Sequence, residues 1–203
     1  MIKAIVFDLG GVYFKAGTAI AVKRIYGLVN AEREKVDEIF QAPPRKEGWL
    51  YGKGKLSEEE FWRRAIEKLG MDPKLVPELK EIWHSSYEPI EGMRELVREL
   101  RKKYRVIAFS GNVRERFEYL DRKYGLRGDF DDFVLSFEVG FHKDEREFYE
   151  ALLGRIGCEP EECVFIDDKR EFLEIAESFG IKTILFRGLE QLKTDLRGLG
   201  VEV

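Results

Sequence analysis

Asp8, Ser110, Lys143 and the adjacent pair Asp167-Asp168 are the side chains whose types suit a reaction, and their placement is what links them. Asp8 closes the apolar run KAIVF and opens the turn Leu9-Gly10-Gly11. Ser110-Gly111-Asn112 follows RVIAF. Lys143 lies a few residues past DFVLS, and Asp167-Asp168 ends ECVFI. Each has an ordinary explanation in isolation. Asp8 suits a turn, Ser110 or Asn112 suits a helix cap, and Lys143 is one of many lysines. Two adjacent acids ending a buried strand fit such an explanation less well. Adjacent carboxylates repel and need a cation, and hard divalent ions prefer oxygen ligands. Three carboxylates, one ammonium and one hydroxyl would together hold Mg²⁺ and a phosphoryl group. The cation and the lysine would neutralise charge while a carboxylate attacks phosphorus.

For these residues to meet, the runs before them must be neighbouring strands. Short continuous apolar runs read as strands buried on both faces of a parallel sheet. The sequence predicts five, at 3–7, 105–110, 132–136, 163–167 and 182–186, alternating after residue 90 with helical patterns of ten to fifteen residues. That alternation means βαβ units, and open α/β sheets bind ligands at the carboxyl ends of their strands. The expected fold is α/β: a Rossmann-like, three-layer parallel core of residues 1–15 and 88–203. Residues 16–87 lack a convincing strand and read as a helical insertion after strand one, emerging beside Asp8 as a lid or cap. Within it the pattern predicts helices at 19–29 and 31–41, the latter stopped by Pro43-Pro44, and a glycine-broken loop, Arg45 to Lys55. Next come a capping box at Ser57-Glu58-Glu59-Glu60 and a helix from about Pro73 to Trp83. Arg45, Lys46, Lys53 and Lys55 alternate with Trp49 and Tyr51 in that loop. The mixture suits stacking on a sugar and gripping an anion, although a solvated charged loop is the commoner outcome.

A net charge of −4 over 203 residues gives no electrostatic reason to expect nucleic acid or an anionic membrane as partner. The sequence has no apolar stretch near a membrane span and no signal-peptide pattern, which predicts a cytoplasmic protein, monomer or homodimer. Cys158 and Cys163 are too few for a disulfide framework or a zinc site. Asn and Gln are scarce (Asn30, Asn112, Gln41, Gln191) while Glu, Lys and Arg abound, a composition like that of hyperthermophile proteins.

VFDLGGV, VIAFSGN, LSFEVGFHK and VFIDDKREFLEIAESFGIKTILF, in that order, resemble the four motifs of the haloacid dehalogenase superfamily. The resemblance covers nearly the whole chain, and the insertion resembles the helical caps of one large branch. The first motif, with GKLSEEEFW and SFEVGFHK, is similar to those of sugar-phosphate phosphatases such as the α-glucose-1-phosphate phosphatases. Members are mostly Mg²⁺-dependent phosphohydrolases working through an aspartyl-phosphate. The resemblance implies Asp8 as nucleophile and metal ligand, with the Gly10 carbonyl, Asp168 and Asp167 completing the metal site. Ser110, the Gly111 amide and the Asn112 side chain would hold phosphate oxygens, and Lys143 would pair with nucleophile and phosphate. The substrate class it implies is a small phosphomonoester, a sugar phosphate on the closer likeness.

Two positions depart from the pattern. Gly10 stands where most such phosphatases have a second aspartate acting as general acid and base, a group typically worth about 10²–10⁴-fold. Asp144 stands where proline usually follows the lysine. His142 could supply a proton in place of the missing acid, though a loop side chain facing substrate or solvent is the commoner role; His84 reads as structural. Two other readings remain: a binding protein that keeps metal and phosphate recognition without turnover, and a carbon–halogen hydrolase, against which the paired Asp167-Asp168 argues.

Overall fold

The computed structural model describes residues 1–41 and 47–203. The expected stop at Pro43-Pro44 and the cations Arg45 and Lys46 lie outside the described residues. The elements in chain order are β1 (Ala4–Phe7), then α1 (Gly17–Ile25), α2 (Arg33–Phe40), α3 (Glu47–Gly52), α4 (Glu58–Leu69) and α5 (Val76–Ser85). These are followed by α6 (Met93–Arg101), β2 (Arg105–Ser110), α7 (Arg114–Tyr124), β3 (Asp132–Leu135), α8 (Ser136–Val139) and α9 (Arg146–Ile156). The chain closes with β4 (Cys163–Asp167), α10 (Arg170–Glu177), β5 (Lys182–Leu185) and α11 (Leu189–Gly198). The five strands form one parallel sheet in the order β3-β2-β1-β4-β5.

Side chains alternate across the sheet with the period of two that strands impose. Ile5, Phe7, Val106, Ala108, Val164 and Ile166 face a layer built from α6, α7 and α11. Ala4, Val6, Ile107, Phe109, Cys163 and Phe165 face the other layer, from α9 and α10. Every residue of β1 is fully buried, as its central place requires. Each such aliphatic or aromatic side chain contributes about 1.5–3 kcal/mol when removed from water. Cys163 is buried in β4, Cys158 is half-buried, and both are free thiols.

The stretch between β1 and α6 has a hydrophobic cluster of its own, with Val36, Ile39 and Phe40 from α2, Phe61, Trp62 and Ala65 from α4, and Leu79, Ile82 and Trp83 from α5. Ser57 caps α4 as its sequence predicts, its side chain accepting from Glu60 N–H at 3.1 Å. The predicted loop at 45–55 is corrected: residues 47–52 form α3. Ser136, read as the end of the third strand, instead begins α8.

The turn after β1 is fixed from both sides. Gly11 N–H donates to Phe14 O and Phe14 N–H to Leu9 O, both at 2.7 Å. Tyr13 donates to the fully buried Asp129 at 2.7 Å, whose carboxylate also accepts from Arg94 and Arg98. This buried, fully paired knot holds residues 9–14 rigid against the sheet, and so sets the position of Asp8 beside it.

Candidate active site

Because β1 lies between β2 and β4, the residues ending these strands meet at one edge of the sheet. Asp8 directly follows β1, its N–H bonded to Ile166 O at 2.9 Å. Ser110 ends β2, and Asp167 ends β4 with Asp168 next to it. Lys143 arrives from the loop between α8 and α9. Its Nζ lies 2.6 Å from Asp8 Oδ1 and 2.6 Å from Asp167 Oδ2, with all three residues buried. Tyr149 anchors that loop by donating to Lys143 O at 2.9 Å.

Asp8, Asp167 and Asp168 each offer one carboxylate oxygen, and the three oxygens lie within 4.8 Å of one another. Three anionic oxygens around one point, balanced by one ammonium, leave an excess of negative charge that a hard divalent cation fits. Burial, reinforced by Asp167, pushes the Asp8 carboxyl up to about 7, against the pull of Lys143. Burial and then the charge of Asp167 likewise push Asp168 up. Burial alone would lower the Lys143 ammonium, but the charges of Asp167 and Asp8 outweigh it and hold it above the ordinary lysine value. The metal-free cluster therefore tends to take up a proton on a carboxyl while Lys143 keeps its own.

The glycines are close-approach positions. A Cβ on Gly11, at φ +104°, would sit 2.4 Å from Asp168 Oδ2, so only glycine lets that acid reach the turn. A Cβ on Gly111 would sit 2.2 Å from the His142 ring. Gly10 borders the cavity, and the bonds closing its turn use the carbonyls of Leu9 and Phe14, not its own. At Gly10 a Cβ would meet only Tyr87 Cε1, at 3.4 Å, an ordinary contact. The tyrosine ring occupies the space toward which a side chain there would extend.

Asp8, Gly10, Ser110, Gly111, Asn112 and Lys143 all line one cavity of about 450 Å³, along with Asp168. Asp167 lies behind it, fully buried, its Oδ1 accepting from Lys169 N–H. Asn112 has a second task besides the one the sequence suggests. Its Oδ1 accepts from Val113 N–H at 2.9 Å and from Arg116 Nε at 2.6 Å, and its N–H donates to Ser136 Oγ.

The opposite wall comes from the helical insertion. Trp49 of α3 stacks on His142, with ring centroids 3.8 Å apart and planes 13° from parallel. Lys53 pairs with Glu145 at 2.5 Å, Ser136 Oγ donates to Gly52 O at 2.5 Å, and Tyr51 donates to Glu115. Tyr51 and Lys53, read as sugar-stacking and anion-gripping or solvated, are thus spent on holding α3 to the sheet side, while the half-buried Trp49 also lines the cavity. His142 is pushed down to about 3, by burial first and the charge of Lys143 second. At that value it is neutral near pH 7, and it lines the cavity beside Gly111. Asp144 is exposed, and Lys143 pairs with Asp8 and Asp167 rather than with it. His84 is buried against Trp83, in keeping with a structural role.

Sequence reasoning missed Thr18, Trp83, Tyr87 and Arg116, which also line the cavity. One signal was present for Arg116: it shares the buried face of α7 with Phe117 and Leu120, an unusual place for a guanidinium.

Among known proteins, a family model described as haloacid dehalogenase-like hydrolase matches residues 2–180. The chain is 31% identical to chloroplastic flavin mononucleotide hydrolase 1 of Arabidopsis thaliana over 157 residues, 76% of this chain. It spans under two thirds of that relative's length, 63%. It is 27% identical to D-ribitol-5-phosphate phosphatase of Bacteroides thetaiotaomicron over 193 residues, covering 90% of this chain and 91% of the relative. The fold superposes on a HAD family enzyme of Bacteroides thetaiotaomicron solved with magnesium and inorganic phosphate, with TM-score 0.80, 22% identity and coverage of 95% and 99%. For the magnesium complex of that enzyme the values are 0.79, 25%, 97% and 98%.

Proposed function

This chain belongs to the haloacid dehalogenase-like hydrolases, and within that family we propose that it is a Mg²⁺-dependent phosphohydrolase acting on a small phosphomonoester. The observation that carries the reading is Lys143 held at 2.6 Å from both Asp8 and Asp167, with Asp168 completing three carboxylates around one point. Relatives named as a mononucleotide hydrolase and a sugar-alcohol phosphate phosphatase support a phosphoryl substrate. A fold neighbour solved with magnesium and phosphate supports the cation.

In this reading Asp8, Asp167, Asp168 and the Gly10 carbonyl would hold Mg²⁺, which would supply neutralisation of charge on the phosphoryl group. Lys143 fixes one oxygen of Asp8, leaving the other to attack phosphorus. The bond from phosphorus to the alcohol oxygen breaks as the aspartyl-phosphate forms, and the leaving oxygen takes a proton from water. Water then attacks phosphorus, releasing inorganic phosphate and restoring the carboxylate. Ser110, Gly111 and Asn112 orient the phosphate oxygens from the end of β2. Residues 1–15 and 88–203 act as the catalytic core, and residues 16–87 as the cap that closes the cavity. Gly10 provides no carboxylate to protonate the leaving group, which favours substrates whose leaving oxygen departs readily, such as the anomeric oxygen of a sugar phosphate or the carboxylate of an acyl phosphate.

The test is phosphate release from a panel of small phosphoesters, with MgCl₂ and with excess chelator. Turnover that needs Mg²⁺ supports the reading, and turnover that survives chelation overturns it. The Tyr87 ring beside Gly10 favours one second reading, a protein that binds phosphate ligands without turning them over. That reading predicts calorimetric binding of inorganic phosphate with MgCl₂ and no release from any panel member.

A further inference from the structure

Three cations are buried among the described residues, and two of them are paired. Lys143 has Asp8 and Asp167, and Lys53 has Glu145. Arg116 is the third, 5% exposed, and has no carboxylate partner among the described residues. Its Nε donates to Asn112 Oδ1 at 2.6 Å, and one terminal nitrogen reaches Thr18 Oγ1 at 3.5 Å. The guanidinium lies over two rings, 5.2 Å from the centroid of Trp83 and 4.7 Å from that of Tyr87. Those contacts orient it and leave further N–H donors unused. Burying a cation without a counter-ion is costly, so a fold that keeps one beside a cavity invites an anion into that cavity.

A second, independent observation points the same way. Trp83 is 2% exposed, and its indole N–H is the one buried side-chain polar atom without a partner among the described residues. Trp83 and Arg116 line the same cavity as Asp8 and Lys143. Indole and guanidinium are donors only, so whatever completes them brings acceptor oxygens. The Tyr87 ring touches both the guanidinium and the space beside Gly10, placing Arg116 about one aromatic ring away from the loop that carries Asp8.

We propose that Arg116, assisted by Trp83, binds a second oxyanion on the substrate, a carboxylate or a second phosphate, at the far end from the phosphate that Asp8 attacks. This rests on the phosphohydrolase reading and narrows it, from small phosphomonoesters to those with two anionic ends.

The experiment compares matched compounds that differ only at the far end. 6-Phosphogluconate and glucitol 1,6-bisphosphate are set against glucitol 6-phosphate, and 3-phosphoglycerate against glycerol 3-phosphate. In MgCl₂, kcat/KM is measured for each, and inorganic phosphate binding by calorimetry reports on the Asp8 end alone. At least one doubly anionic compound should exceed its neutral match by about 10- to 100-fold, the range of a charge-assisted hydrogen bond. The preferred member identifies the far group as carboxylate or phosphate. Arg116→Gln should remove the preference, costing the doubly anionic member of each pair at least about tenfold more than its neutral match, beyond what loss of the bond to Asn112 costs both members and inorganic phosphate alike. Arg116→Lys, which keeps the charge, should retain part of the preference. Trp83→Phe, which keeps the ring and loses the N–H, should lose part of it. Unchanged melting temperatures in the last two variants guard against a folding artefact. No preference in wild type overturns the inference, as does an Arg116→Gln loss that is equal for both members of a pair. Failure of wild type both to bind inorganic phosphate and to turn over any compound instead overturns the phosphohydrolase reading, and the inference falls with it.

Discussion

Replacing the Asp8 carboxylate should make the metal-free protein more stable. Asp8 is buried with Asp167 and the Lys143 ammonium, and Asp168 adds a third carboxylate at the edge of the cluster. Its carboxyl is pushed from 3.8 to about 7, by burial first and then by Asp167 and Asp168. In the unfolded chain it ionises near its ordinary value, so between those limits the folded state holds the extra proton. Stability from this group is therefore greatest at low pH and falls as pH rises through the interval. The interval spans about three pH units at about 1.4 kcal/mol each, a full penalty of about 4 kcal/mol above pH 7. Asp8→Asn keeps the shape and removes the charge, and the pull of Lys143 on that charge is already contained in the shift. The gain expected at pH 8 in chelator is therefore about 2–4 kcal/mol, or roughly 4–16 °C for a chain of this size. Thermal melts of both proteins at pH 8 and pH 4.5, with and without MgCl₂, provide the assay. The gain should vanish at pH 4.5, where Asp8 is already protonated. It should shrink or reverse in MgCl₂ at pH 8, where the cation stabilises wild type by binding the folded state. An Asp8→Asn protein less stable than wild type at pH 8 without Mg²⁺, or a gap independent of pH, refutes the reasoning.

Gly10→Asp should raise kcat on alkyl phosphates, up to the roughly 10²–10⁴-fold that a general acid supplies, and change acyl phosphates little. The Cβ fits in ordinary contact with Tyr87, so pairing the substitution with Tyr87→Ala should enlarge the gain by freeing room for the carboxylate. Equal effects on both substrate kinds would show that leaving-group protonation does not limit the rate. Lys53→Ala breaks the pair with Glu145 that ties α3 to the sheet side. Urea unfolding should report a loss of about 1–3 kcal/mol, below the 3–5 kcal/mol of a fully buried pair because Glu145 is partly solvated. KM should rise with it as α3 loosens over the cavity, and an unchanged KM would show that α3 does not shape the substrate site.

The sheet was legible because its strands are parallel and buried on both faces. RVIAFS reads as a strand over 105–110, and that is where β2 lies. The site was legible for a related reason. Asp8, Ser110 and Asp167 each sit where an apolar run stops, and parallel strands bring such stops to one edge. Lys143 was placed only loosely, a few residues past an apolar run, since nothing local marks it as different from other lysines, and the resemblance sharpened its role. The segment 47–52 was misread because its glycines look like loop residues, while its helix is held by tertiary contacts that sequence does not display: Trp49 on His142, Lys53 on Glu145 and Gly52 O on Ser136. Arg116 was missed because helical periodicity puts it on the same face as Phe117 and Leu120, and a charge there reads as a surface residue until its missing partner is seen.

The role of Asp8 as nucleophile is tested most directly by phosphate release from wild type and Asp8→Asn in MgCl₂, on whichever panel compound wild type turns over fastest. The variant should fold, melt higher in chelator and release no phosphate above the rate without enzyme. Phosphate release by Asp8→Asn at a rate near that of wild type would contradict it.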